Sequence, residues 1–227
     1  MGSHYNPRVV TNGLVLHLDA ANIRSYPGSG TVWSDICGRN NNGTLTNGPL
    51  FDSDRSGCID LDGTNDYVNL PLSSELTTLN GSNLTICAWF YLRVGGLLFS
   101  PRGGVLNSLY YSIAETTCIL DRYPPSGSTA ITTTITSPTN AWSFYAVSAI
   151  AGVNATFYQN LNSQTLPHTE VYSGTTPTAV TIGCQIDNGT PANHINGKLA
   201  VFSIYNRALS ASEIRQNFNA TRGRFGI

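Results

Sequence analysis

The apolar positions of this chain fall mostly into short runs of period two, the spacing of strands whose alternate side chains face a core. "LVLHLDA" (14–20) alternates apolar and polar residues, and "CIDLDG" (58–63) and "DYVNLPL" (66–72) flank the turn "GTN". "NLTICAWFYLRV" (83–94) is the strongest run: Leu84, Ile86, Ala88, Phe90 and Leu92 point one way, Thr85, Cys87, Trp89 and Tyr91 the other. Both faces are largely apolar, so this strand is expected to be central. "LYYSIA", "ITTTITS", "WSFYAVSAI", "ATFYQNL", "VTIGCQI" and "KLAVFSIYN" continue the pattern, separated by turn clusters such as "PGSG", "PPSG", "SGTTP" and "DNGTP". Many strands at this spacing predict a sandwich or barrel.

One segment changes period. "RALSASEIRQNF" (207–218) reads as a short amphipathic helix. Ser210 can cap it by accepting a bond from a first-turn N–H, and Glu213 can reach back to the Ser210 N–H, a capping box. Leu209 and Ile214 have the spacing of a hydrophobic staple, and Ile214 and Phe218 share a face. Arg215, Gln216 and Asn217 suit solvent. A helix this short is marginal alone and must dock, and packing beside or across a sheet edge would shield that edge from pairing. The chain then continues past a Gly-containing break as "TRGRFGI".

No Gly/Ser tract, charge block or internal repeat divides the 227 residues, so one domain is expected, with an arm at 1–13, a sandwich at 14–221 and a tail at 222–227. Hydrophobic content of 41% supports a real core, while charged residues make up only 11%, well below the roughly 25% usual in soluble domains. A net charge of −1 gives no basis for binding nucleic acid or an anionic membrane. The first residues lack the apolar run of a signal peptide and no segment has the length of a membrane span. The five cysteines show no CxxC spacing; most are expected as buried small hydrophobes, with one or two disulfides as the alternative.

At this point specific motifs appear. "GLVLHLDAANIRSYPGSGTVWSDICGRNNNGTLTNGP" resembles the opening of laminin-G-like, concanavalin A-like sandwich domains, through Trp33, Asp35, Gly38, Asn42, Gly43, Thr44 and Leu45. "IDLDGTNDYVNLP" resembles the family's Asp-Gly…Asp-Tyr-Val segment, and "LTICAWFY" one of its strands. "NGKLAVFSIYNRALSASEI" resembles the closing strand and helix. Cys37 and Arg39 depart from the usual residues, and the region from about 95 to 140 matches poorly. The resemblance implies an all-β jelly-roll sandwich with one short C-terminal helix. The start "YNPRVVTNGLVLHLDAANIRSYPGSG" together with the end "QNFNATRGRFGI" is similar to structural proteins of tailed bacteriophages, cyanophages among them. That similarity implies a virion protein, made in the host cytoplasm without a signal peptide.

Candidate chemistry is sparse. "DLDGTND" clusters Asp60, Asp62 and Asp66, but the further ligands and distal Glu of an EF-hand are absent. Structural use at a turn is the simpler reading, with Asp66 bonding turn N–H groups. Related sandwiches sometimes hold calcium at a rim; on that resemblance the candidate ligands are Asp19, Asp35, Asp62 and Asp66, and no other cofactor is implied. A sandwich glycosidase needs two carboxylates facing one cleft. The Glu residues, 75, 115, 170 and 213, do not supply that pattern, and no Gly-x-Ser-x-Gly occurs, so no enzyme is expected. Aromatics in "LYY" (109–111), "DRYPPSG" (121–127) and "TFYQN" (156–160) could stack on sugar rings, Tyr123 being the candidate platform. Trp33, Trp89 and Trp142 fall at family core positions and are expected to be buried.

These readings favour a non-enzymatic virion structural protein, a capsid decoration, neck or fibre component acting through protein–protein contacts as a homo-oligomer or in many copies. Tyr5, Arg8, Arg222, Arg224, Phe225 and Ile227 are its candidate interface residues. For the tail, folding of Phe225 and Ile227 back onto the sandwich stands as an equal alternative. The second functional reading is a carbohydrate-binding adhesin module recognising host surface glycan.

Overall fold

The computed structural model describes residues 7–102, 108–123, 129–169 and 176–227. Its strands, numbered in chain order, form two eight-stranded sheets. The first sheet runs β14 (Asn162–Pro167), β13 (Asn154–Gln159), β12 (Trp142–Ile150), β7 (Leu84–Val94), β18 (Asn196–Tyr205), β5 (Cys58–Asp62), β4 (Leu50–Asp52). On the side of β18 away from β7, β5 pairs with its first half and β1 (Leu14–Asp19) with its second. The second sheet runs β11 (Ile131–Thr132), β10 (Cys118–Tyr123), β9 (Ser108–Ile113), β8 (Gly96–Arg102), β15 (Ala179–Ile182), β6 (Tyr67–Leu70), β3 (Gly43–Thr46), β2 (Val32–Trp33). β16 (Gln185–Asp187) and β17 (Thr190–Ala192) form a separate hairpin, and a single helical turn, α1, spans Ser74–Thr77.

The expected jelly-roll sandwich with one C-terminal helix is the architecture observed. β7 is indeed interior, with β12 on one side and β18 on the other. Ile86, Phe90 and Leu92 from β7 join Leu98, Phe99, Leu120, Val180 and Phe202 in the core between the sheets. The opposite face of β7, with Cys87 and Trp89, belongs to a second apolar layer that includes Trp142, Phe144, Ile214, Phe218 and Phe225. The helix therefore lies across the outer face of the first sheet. An edge position, as expected from the sequence, would have left that aromatic face in water.

The helix, α2, spans Ala211–Phe225. The capping box forms as expected: Glu213 N–H donates to Ser210 Oγ, and Ser210 N–H donates to Glu213. The end of the helix lies seven residues beyond the expected Phe218. Gly223 does not break it; termination comes at Gly226, which takes the left-handed conformation (φ 73°) that glycine adopts without steric cost. Asn217, expected to face solvent, is buried and accepts a bond from Val10 N–H while donating to the Tyr205 hydroxyl. The N-terminal arm is tied down by the same elements, with Gln216 donating to the Arg8 carbonyl and Arg207 to that of Asn12.

Other differences are local. Gly183 (φ 97°) breaks "VTIGCQI" into β15 and β16. The "DNGTP" turn is the tip of the β16–β17 hairpin, where Asn188 (φ 48°) and Gly189 (φ 85°) give the doubly positive backbone of a tight hairpin turn. "ITTTITS" contributes only Ile131–Thr132. All five cysteines are free; Cys37 is half-buried and the other four are buried. Trp33, Trp89 and Trp142 are buried, as expected. Among the described residues no helix is long and apolar enough to cross a membrane.

Candidate functional site

A concave feature with both polar and aromatic lining lies on the outer face of the second sheet. Strand alternation puts it there. On β15, Val180 and Ile182 enter the core, so Thr181 and Ala179 face outward. Their partners in register, Ser100 and Arg102 on β8, face outward too. On β9, Leu109, Tyr111 and Ile113 are in the core, leaving Tyr110 and Ser112 outside. Asp121 of β10 stands opposite Tyr110 in register, on the same face.

The β16–β17 hairpin and the segment after it form the second wall. Leu97 N–H donates to the Asn193 carbonyl at 3.1 Å, fixing that segment against β8. Gly96 permits the approach: a Cβ there would meet Ile195 Cα at 2.6 Å and the His194 carbonyl at 2.7 Å. The resulting groove is about 420 Å³ and is lined by Leu97, Arg102, Tyr110, Ser112, Ile119, Gln185 and Asn193, among others. Arg102 is only 6% exposed. Its guanidinium pairs with Asp187 through Nε and donates to Gln185 Oε1 at 3.1 Å, while Gln185 Nε2 donates to Asp187 Oδ2 at 2.9 Å. The planar groups are thus held in one network, and Tyr110 stays half-exposed beside them.

The residues singled out in the sequence lie elsewhere. Asp35 accepts backbone N–H groups from His17, Cys37, Arg39 and Asn41 and the Cys37 thiol, so it organises the 35–41 loop. Burial, together with the hydrogen bond to Asp35, pushes the Cys37 thiol up to about 12. Asp19 pairs with Arg224 at 2.7 Å. Asp62 accepts from Thr64 and Asn65 N–H, and the Thr64 bond first among others holds its carboxyl below the usual range. Asp66 is buried, which raises its pKa, and accepts the Asp62 N–H, the turn role expected for it. Asp62 and Asp66 line one pocket together with Asp60, whereas Asp19 and Asp35 lie elsewhere, and the oxygens named above accept from N–H groups or a guanidinium. Among the described residues no three His, Cys, Asp or Glu side chains are placed to share a metal ion.

The expected interface set is corrected in part. Phe225 is 3% exposed and stacks on Trp89 with centroids 4.0 Å apart. Arg224 is held by Asp19 and by the carbonyls of Arg55 and Gly57. Both close the domain on itself, so neither is free to anchor a partner, and the fold-back alternative describes Phe225. Arg8, Arg222 and Ile227 are exposed. Tyr5 lies outside the described residues. Tyr123 ends β10, and its side chain also lies outside them. Of the three aromatic stretches named above, "LYY" supplies the groove aromatic, Tyr110. Arg102, Gln185 and Asp187 were missed. The available signal was the Asn-Gly hairpin, which folds Gln185 and Asp187 back toward the sheet.

A two-sheet jelly roll with a preformed groove on the outer face of one sheet is a lectin-like β-sandwich. The chain belongs to the concanavalin A-like lectin/glucanases superfamily, whose model matches residues 62–215. Curated protein sequences give no match. Among solved structures, the binding domain of Paraclostridial Mosquitocidal Protein 1 is similar, with TM-score 0.70 and 17% identity over 92% of this chain and 52% of that one. A structure of botulinum neurotoxin type C, whose cell entry depends on interaction with two ganglioside molecules, has TM-score 0.71 and 14% identity over 93% and 52%. The binding domain of botulinum neurotoxin DC in complex with rat synaptotagmin II has TM-score 0.70 and 14% identity over 93% and 52%. At these identities the likeness establishes the fold. The chain spans about half the length of these structures.

Proposed function

We propose that the protein is a non-catalytic, lectin-like binding module that takes a saccharide in the groove between β8, β9 and the β16–β17 hairpin. The observation that carries this reading is the placement of Tyr110 beside the bonded Arg102–Gln185 pair and the exposed Asn193 in one concavity. A pyranose ring has an apolar C–H face, which an aromatic ring can cover, and a rim of hydroxyls, which amide and carboxylate groups can bond. The volume falls within the range of about 300 to 1,000 Å³ usual for small-molecule sites. Solved structures of similar fold include binding domains, which supports a binding role.

Glu213 and Glu75 are not available as a catalytic pair in this reading. Glu213 is committed to its cap and to Arg207, and Glu75 to Arg39 and Asn41. His17 Nδ1 lies 2.8 Å from Ser203 Oγ, but Ser203 is buried beneath the helix and cannot meet a substrate. The test is a glycan array with wild-type protein and Tyr110→Ala. Retained array signal is expected only for the wild type; equal signal from both proteins would remove the groove from the account.

The second reading places the module on a tailed-phage particle, as a decoration, neck or fibre component in many copies. Its support is the similarity of both chain ends to phage structural proteins, together with apolar residues left exposed on the surface, Ile23 at 78% and Leu50 at 72%. Stoichiometric recovery of the chain with purified virions would be the expected result, and its absence from them would end this reading.

A further inference from the structure

We infer that the groove selects uncharged saccharides over acidic ones, and that Asp187 is the residue that sets this preference; the inference rests on the saccharide reading above. The argument is one of charge. The groove holds a single cation, Arg102, among the described residues that line it. A bare guanidinium at the base of a groove would be a ready receptor for a carboxylate or sulfate, since its planar fork matches both. Here the guanidinium is already partly engaged. Asp187 takes Nε and Gln185 takes one Nη1 hydrogen. Arg102 thus acts as a rigid support for Asp187 and Gln185.

A second carboxylate, Asp121, stands on the same outer face, two strands from Arg102, but it is fully buried and does not line the groove. Strand spacing puts it about 10 Å away, beyond the roughly 8 Å screening length at physiological salt. The charge balance therefore rests on the Arg102–Asp187 pair, which leaves no excess positive charge to receive an anion. An acidic sugar entering the groove would have to displace Asp187 from Arg102 or sit beside that carboxylate, and a poorly paired charge in a desolvated site is costly. A neutral sugar meets neither penalty. Its hydroxyls can donate to Asp187, whose side chain is 26% exposed, and can exchange bonds with Gln185 and Asn193.

The experiment is titration calorimetry of the intact chain at physiological salt, using a neutral oligosaccharide and the same oligosaccharide carrying a terminal sialic acid or a sulfate. The neutral form is expected to bind at least about tenfold tighter, the size of one lost charge-assisted contact. Tighter binding of the acidic form would overturn the inference while leaving the saccharide reading intact. Failure of both forms to bind folded protein, across the neutral and acidic members of a glycan panel, would overturn both. Asp187→Asn is the second arm. It keeps the shape of the side chain and removes its charge, so the preference should narrow about tenfold. Gln185→Glu adds a charge beside the same guanidinium and should widen it. An unchanged preference in two variants that melt as the wild type does would remove Asp187 from the role.

Discussion

Truncating Phe225 to Ala should destabilise the whole domain, although the residue lies two positions from the C-terminus. Phe225 stacks on Trp89 at 4.0 Å and leans on Trp142 at 5.1 Å, and all three rings belong to the layer between the first sheet and α2. Burying a Phe contributes about 1.5–3 kcal/mol, aromatic pairing adds about 0.5–1.5 kcal/mol per pair, and Phe→Ala in a packed site costs about 3–5 kcal/mol. Because the last helical turn can relax into part of the void, the lower end of that range, about 3 kcal/mol, is expected. For a domain of this size that corresponds to a fall in Tm of about 6–12 °C. Urea titration of wild type and variant should show a lower midpoint at unchanged slope. Ile227→Ala serves as the control: that side chain is 42% exposed, and its loss should stay within about 0.5 kcal/mol. A Phe225→Ala cost below about 1 kcal/mol, with Phe218→Ala still costly, would show that the end of the helix is not docked.

Ser210→Ala should cost about 1 kcal/mol in the same titration, since it removes one half of the capping box. Glu213 is held down to about 2 by Arg207 first and by the Ser210 N–H second. Its contribution is therefore complete above the ordinary carboxylate pKa and is lost as pH falls toward 2, so the stability gap between wild type and Glu213→Gln should close over that window and be constant above it. Arg122 is fully buried on the core side of β10; its Nη2 donates to the Ser82 carbonyl, while Nε and Nη1 meet no partner among the described residues. Burial pushes its pKa down to about 10. Arg122→Met should therefore be neutral or stabilising by about 1–4 kcal/mol in thermal melts; a loss of more than about 2 kcal/mol would mean the guanidinium is better satisfied than this geometry allows.

The sandwich was legible because its central strand declares both of its faces. Ile86, Phe90 and Leu92 mark one core and Trp89 with Cys87 the other, and the capping box at Ser210 and Glu213 marks where the helix starts. The end of the helix was less legible. Gly223 looks like a break, yet a glycine inside a helix costs only about 1 kcal/mol, and docking of Phe225 outweighs it. β14, an exposed edge strand reading "NSQTLP", carries no apolar alternation to detect. The groove was nearly invisible, since it depends on Arg102, Tyr110 and Gln185, which lie apart in sequence and meet through the β8–β9 pairing and the packing of the β16–β17 hairpin against β8. The acidic cluster that did stand out, Asp60 to Asp66, stabilises a corner.

The most direct test of the account is a crystal structure of the protein soaked with a neutral oligosaccharide chosen from the array. The account predicts a pyranose ring lying over Tyr110, with hydroxyls within about 2.7–3.2 Å of Gln185, Asn193 and Asp187. A sugar seated elsewhere on the sandwich, or an empty groove at saturating ligand, would contradict it.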